Sequence, residues 1–397
     1  MLGSIYVGLS GLNAYSKGLQ TISNNVANLN TPGFKGATVK FSDVYAAGGG
    51  GLAFSSGPGA QKAGGGVRFA EGGIDYRQGD LRQSGGDLDL AIQGSGFLML
   101  QKGDKTYYSR TGQFAVDDKG RITLQGTEYE LAVLDAARQP KTLNVDARRV
   151  YPPAATTKVT FADNLSASGT EHTVSNIAVY DSLGGKQVWQ VKFQAVGATS
   201  PGEWDVTVTD AGGASLATSK LKFIGSVVDP SSAQLTVTAT PPGAAPLSVL
   251  LDFSSGVTSF SQGPTSGLRA ASVDGNGVGA LASVTIDDEG QILLTYSNSK
   301  TEQLGAVAIA DFRDPQQLVN VGSGLFENRG GGQYRLAASG DDGVGTLVSR
   351  QIEASNVNLS EEFGDLILIQ RGFQASSQVV SVANDMIQQL FGIRGQG

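Results

Sequence analysis

Apolar residues return every seven positions at both ends of this chain. Near the start they are Ile5, Leu12, Leu19 and Val26; near the finish they are Leu366, Phe373, Val380 and Ile387. A second stripe backs each set: Leu2 and Leu9, drifting to Ile22 and Leu29, then Ile369, Ala383 and Leu390. A sustained seven-residue repeat marks a helix with a seam to bury against another helix. Terminal segments fray unless something ties them down, so ends patterned like these read as two halves of one coiled coil, an assembly device. The candidate packing residues are Ile5, Leu9, Leu12, Leu19, Ile22, Val26, Leu366, Ile369, Phe373, Val380, Ile387 and Leu390.

The first helix is expected over residues 2–29, roughly 40 Å at 1.5 Å per residue. Gly3, Gly8, Gly11 and Gly18 each weaken it, by up to about 1 kcal/mol relative to alanine. Its stability must therefore come from a packed face. Thr31, Pro32 and Gly33 stop it, because the residue before a proline is biased away from helix. The last helix opens at Asn358, where Glu361 completes a capping-box pattern, and runs to about Phe391 before Gly392.

Composition narrows the chemistry. The formal net charge of −7 argues against a general nucleic-acid surface. There is no cysteine and one histidine, His172. Disulfides and thiolate metal sites are excluded, and histidine zinc sites or a Ser-His-Asp triad have almost no raw material. No catalytic residue, metal or cofactor is expected. No apolar run approaches the roughly 20 residues a membrane span needs, so membrane insertion is not expected either. The first fifteen residues lack the basic start and continuous apolar core of a secretory signal. The chain is expected to stay in the cytoplasm or to leave by a route that reads something else.

Between the helices the pattern is β. Residues 31–72 read as a glycine-rich connector, with glycine runs at 48–51 and 64–66. From Ile74 the sequence turns to strands. Leu88, Leu90 and Ile92 alternate with Asp87, Asp89 and Ala91, which predicts a half-buried strand. The stretch Val116-Asp117-Asp118-Lys119-Gly120-Arg121-Ile122 is echoed by Ile286-Asp287-Asp288-Glu289-Gly290-Gln291-Ile292. The aspartates lack the ligand spacing of a calcium loop. An Asp followed by a residue and a glycine, between alternating apolar positions, is instead a hairpin turn signal, so both copies are expected to be hairpins of one discontinuous β-domain.

Between the copies, Trp189, Val191, Phe193 and Ala195 share one strand face, as do Trp204, Val206 and Val208. Asp181 to Gly185 reads as the turn between two such strands. The fold class is therefore mixed, mainly β with terminal α-helices, in a discontinuous multi-domain rod. Residues 1–30 and 356–397 would form the helical domain, 73–150 and 271–355 an inner β-domain, and 151–270 an inserted outer β-sandwich or barrel.

Three stretches then resemble a known family. Ser10 to Ala14 and Ala27 to Lys35 are similar to the N-terminal signature of bacterial flagellar rod and hook axial proteins. Ala354 to Leu359, Glu362-Phe363 and Gln370 to Gln374 are similar to its C-terminal counterpart. Leu88 to Phe97 and Tyr108 to Phe114 resemble the family's first β-domain, and Val179 to Gly184, Val257 to Phe260 and Tyr296 to Asn298 its hook-type inserted domain and return. The matches cover nearly the whole chain in order. The residues that carry the terminal signatures are Asn28, Asn30, Thr31, Pro32, Gly33, Phe34, Asn356, Asn358, Phe363, Gln370 and Arg371.

The resemblance implies a homopolymer of many copies, a short curved tube that transmits torque between rod and filament as a flexible universal joint. It implies export through the flagellar type III apparatus, a temporary hook cap, and neighbours in the distal rod and the hook–filament junction proteins. The seam would pack at the centre of the tube, with Asn24, Asn25, Asn28, Gln374, Gln378 and Asn384 lining the lumen or neighbouring helices. A simpler reading is that the seam packs the two helices of one subunit. Other classes remain in view: a distal rod protein, a surface β-sandwich binding module, or a glycosidase using a carboxylate pair such as Asp87 with Asp89 or Asp287 with Asp288.

Overall fold

The computed structural model describes residues 2–44, 65–197, 200–261 and 263–394. The chain forms two compact units, one of Met1–Asp146, Val284–Leu293 and Gln303–Gly397, the other of Ala147–Ser283 and Leu294–Glu302. Terminal helices and a mainly β interior are both present. Helix α1 spans Leu2–Ala27 and helix α2 spans Leu359–Arg394. Asn358 Oδ1 accepts from the Ser360 N–H, 3.0 Å away, so the cap expected from sequence starts α2. The end of α1 is a turn in which the Thr31 N–H reaches Asn28 O, with Gly33 following at φ +69°.

In the first unit, the stretch expected as connector carries two strands. Strand β1 (Ala37–Asp43) pairs antiparallel with β2 (Val67–Ile74). Residues 45–64, which hold most of the glycines of that stretch, lie outside the described residues. The pair forms because its apolar side chains have a surface to cover. Phe41 lies 5.1 Å from the Tyr15 ring of α1 and 6.4 Å from Phe69.

The β-part of this unit centres on Glu130–Leu134, which pairs with Phe97–Lys102, Pro140–Thr142 and the strand that ends at Val307. Its core gathers Leu90, Ile92, Leu98, Leu131, Val133, Ile292 and Ile309. Both echo segments are hairpins here. The Gly120 N–H bonds Asp117 O and the Gly290 N–H bonds Asp287 O, while each aspartate Oδ1 accepts the N–H four residues on, from Arg121 and Gln291.

The alternation at 87–92 is not half-buried as expected. Asp89 and Ala91 are as buried as their apolar neighbours. The strand Leu90–Gln93 is paired on both sides, by Thr346–Ser349 and Thr111–Gly112, and the Asp89 carboxylate takes the Ser84 hydroxyl at 2.5 Å. A hydrogen-bonded aspartate survives burial and looks, in sequence, like a surface one.

The second unit is built on a ten-stranded sheet around a single core. It begins as a meander, Glu171–Tyr180, Lys186–Ala195, Glu203–Thr209 and Ser215–Ile224. Val191 stands opposite Val208 and Phe193 opposite Val206. Residues from both ends of the sheet, Val174 and Ile177 from one and Val237 and Val249 from the other, share that core with Trp189 and Trp204. The sheet must therefore curl over itself. The turn at 181–185 is an aspartate turn, with Asp181 Oδ1 accepting from the Leu183 and Gly185 N–H groups. His172 lies within a strand, a ring nitrogen 2.7 Å from Leu268 O.

Candidate functional site

The two helices run antiparallel against each other. Gly8 lies against Val380 and Ser376, Gly18 against Ile369, and Asn25 against Glu362. Along α1 the buried positions are Gly8, Gly11, Ala14, Gly18, Ile22 and Asn25, spaced three or four apart, as one packed helix face requires. Ile22 is fully buried and Ile369 is 4% exposed. Ile5, Leu12, Leu19, Val26, Leu366, Val380 and Ile387 are half-buried. All of this burial is supplied within one chain.

Two seam candidates are not in the seam. Leu9 is exposed and Phe373 is 37% exposed; the side chain of Leu390 lies outside the described residues. Glycine explains the first two. A Cβ at Gly8 would sit 2.6 Å from Val380 Cγ2, and one at Gly11 would collide with Ser376 Oγ. The backbones approach too closely for side chains there, so Gly8 holds the inward place that counting apolar residues assigns to Leu9. On α2 the same exchange occurs at Gly372, where a Cβ would lie 2.5 to 2.9 Å from three atoms of the Tyr15 ring. The ring fills the space above Gly372, and Phe373 turns outward. A hydrophobic count cannot see a position whose function is to be empty.

Polar groups fasten the pair. Asn25, placed by sequence among lumen-facing or helix-facing residues, is 2% exposed. Its Nδ2 donates to Glu362 Oε1 at 2.8 Å and to Ala37 O, and its Oδ1 accepts from the Ala37 N–H. One amide thus joins α1, α2 and β1. Burial pushes the Glu362 carboxyl above its usual range; the Asn25 bond opposes this, and Asp365 and Glu361 add to it.

The signature residues divide in two. Asn28 bonds Asn24 O and takes the Thr31 hydroxyl. The Gly33 N–H donates to Glu353 O at 2.8 Å, and Phe34 is buried. Asn356 Oδ1 accepts from the Gly36 N–H, and its Nδ2 donates to Asp75 O and Arg77 O. These residues hold the two chain ends together where they meet the β-part of their own unit. Asn30, Pro32, Phe363, Gln370 and Arg371 are exposed instead.

A buried charge cluster lies at the same junction. Lys35 Nζ is 2.5 Å from Glu353 Oε1, and Arg110 Nε is 3.2 Å from Glu353 Oε2. Burial lowers the pKa of both cations, and Glu353 opposes that shift. Sequence reading caught Lys35 and Arg110 only as letters of a motif and missed Glu353, because a charge buried by pairing carries no local signal.

Outside the seam, α2 keeps a second apolar stripe uncovered: Leu368, Val379, Val382 and Met386 share one helix face and are all exposed, Leu368 at 68%. Phe363 and Ile367 are exposed on another face. Val379, Val382 and Met386, with Ser4 and Ala375, line a shallow groove along the helix pair. Among the described residues, no helix is long and apolar enough to cross a membrane.

Residues 5–35 match the family described as Flagella basal body rod protein, and 348–393 match Flagellar basal body rod FlgEFG protein C-terminal. Residues 91–164 match Flagellar hook protein FlgE/F/G D1 domain, and 144–277 match Flagellar basal body protein FlaE D2 domain. The chain is 28% identical to the flagellar hook protein FlgE of Escherichia coli K12, over 97% of this chain and 98% of that one. It is 26% identical to the FlgE of Borreliella burgdorferi, over 98% and 99%.

This chain belongs to the bacterial flagellar rod and hook axial proteins.

A third relative of hook type, the FlgE of Rhizobium meliloti, is 28% identical over 99% of each chain. Among solved structures, the Helicobacter pylori flagellar hook protein FlgE2 shares the fold of this axial protein, with a TM-score of 0.51 and 14% identity. That likeness covers 69% of this chain and all of the other. The rod-type matches fall on the two helices that carry the seam and the stripe, and on the segments that join them to the β-part of the axial protein.

Proposed function

We propose that this chain is the structural subunit of the flagellar hook. Copies of it assemble into a curved helical tube that transmits motor torque from rod to filament and bends as it turns. The observation that carries this is the second apolar stripe on α2. The seam is filled within the chain, yet Leu368, Val379, Val382 and Met386 remain in water. An isolated subunit leaves these apolar side chains uncovered along one helix face, which marks a contact surface. Neighbouring copies cover it in the tube.

The division of labour follows from this. Within a subunit the seam makes a stiff helix pair; between subunits the stripe joins pairs into a wall. The polar residues Gln374, Gln378 and Asn384 of α2 line the channel or meet neighbouring helices. Subunits leave the cell through the flagellar type III apparatus and add beneath a hook cap. The distal rod and the hook–filament junction proteins are the end neighbours, and the finished tube lies outside the cell. No catalytic step is assigned.

Electron microscopy after salt-induced polymerisation tests the reading. The full chain should give tubes, and a chain lacking residues 1–30 and 356–397 should stay monomeric. Compact monomers from both would overturn it.

A further inference from the structure

The cluster of Lys35, Arg110 and Glu353 does more than fill space. Glu353 has no exposed side-chain surface, nor has Lys35. Glu353 Oε1 accepts from Lys35 Nζ and from the Gly79 N–H at 2.8 Å, and Oε2 takes Arg110 Nε. Lys35 Nζ also donates to Arg77 O at 2.7 Å, and the Arg110 guanidinium to Gly96 O, Ile92 O and Gly94 O. Two cations therefore share one carboxylate. Asp75, the other acid that acts on Lys35, is paired with Arg77 at 2.7 Å.

The partners come from distant parts of the chain. Glu353 is 318 residues from Lys35 and 243 from Arg110. It arrives on the strand Gln351–Glu353, which pairs with Leu81–Gln83 immediately before α2. The same residue closes two backbone links, accepting from the Gly33 N–H and donating to Thr111 Oγ1. Without that strand, Lys35 and Arg110 would be like charges buried together with no counter-ion. Burial of unpaired charge is among the strongest destabilising conditions in a protein interior.

We propose that Lys35, Arg110 and Glu353 form a buried charge lock that makes docking of the segment after α1 conditional on arrival of the strand before α2. The N-terminal segment 33–36 cannot seat on the β-part of its unit until residue 353 is in place. Both helices are thereby held off until the chain is complete from one end to the other, and then seat together. A subunit missing its last strand keeps α1 undocked and cannot present a half-built helix pair.

Charge balance gives the test its signature. Glu353→Gln leaves two buried cations and no anion. Lys35→Met leaves one cation and one anion. The double variant leaves one cation. Hydrogen exchange with mass spectrometry on the full-length protein reads the segments separately, and peptides from 186–209 in the other unit serve as an internal folding control. In Glu353→Gln, amides of 33–36 and of 351–356 should both exchange about tenfold faster or more, while 186–209 is unchanged. Lys35→Met should perturb them less, and adding it to Glu353→Gln should restore part of the protection. Faster exchange confined to 351–356, with 33–36 protected as in the native chain, would overturn the proposal. So would a double variant worse than Glu353→Gln alone.

Discussion

Ile369 and Leu368 are adjacent on α2 and differ by one bond in branching, yet the structure assigns them opposite duties. Ile369 is 4% exposed, packed over Gly18 of α1; Leu368 is 68% exposed. Truncating Ile369 to alanine removes three buried carbons, worth about 2.4 kcal/mol at about 0.8 kcal/mol per buried methylene. Gly18 has no side chain with which to refill the space, so a cavity term raises the total to about 3 to 4 kcal/mol. Truncating Leu368 in the free subunit should cost under about 0.5 kcal/mol, as exposed positions do. Hydrogen exchange of α1 amides in unpolymerised protein separates the two. Ile369→Ala should speed exchange across residues 12–26 by roughly 150- to 700-fold, since about 1.4 kcal/mol is a factor of ten. Leu368→Ala should change it by less than about threefold. In polymerisation the order reverses for the folded subunit, and Leu368→Ala should raise the protein concentration needed for tubes. Equal effects on α1 exchange, or a larger one from Leu368, would refute the assignment of seam and stripe.

Gly372→Ala should lower helix content, although alanine is the better helix former by about 1 kcal/mol. The added methyl displaces the Tyr15 ring from its place beside Phe41, and overpacking costs about 1 to 3 kcal/mol; circular dichroism at 222 nm checks the sign. The Glu362 carboxyl titrates above its usual range in the folded chain, so the folded form binds that proton more tightly than the unfolded form. Helix docking should strengthen as pH falls through the raised pKa and should gain nothing further below the unfolded value. Glu362→Gln should flatten that rise, read as the difference in α1 exchange between the variant and the native chain. Trp204→Ala empties a site that is 2% exposed at the heart of the second unit and should cost about 3 to 5 kcal/mol. Limited proteolysis should then cut within 171–252 and leave the strands at 90–134 intact.

The helices were legible because seven-residue spacing survives any context, and their caps and stops are written in single residues: Asn358, Pro32, Gly33. The hairpins at Asp117 and Asp287 were legible for the same reason, since an aspartate turn is local chemistry. What sequence hid was set by partners far along the chain. Asp89 looked like a surface residue until Ser84 and two flanking strands buried it. Glycines of α1 looked like weaknesses and turned out to be the points of closest approach. Asn25 and Glu353 have meaning only once residues more than three hundred positions apart are brought together. Most of the signature could be found by resemblance, but the reason for Gly33, Asn356 and Lys35 appears only in their mutual hydrogen bonds.

The most direct test of the account is a helical reconstruction, by electron cryomicroscopy, of tubes assembled from this chain. The account predicts that Gly18 and Ile369 meet within each subunit, and that Leu368, Val379, Val382 and Met386 lie against neighbouring subunits. A tube in which α1 packs chiefly on the α2 of another copy, or in which the α2 stripe faces open solvent, would contradict it.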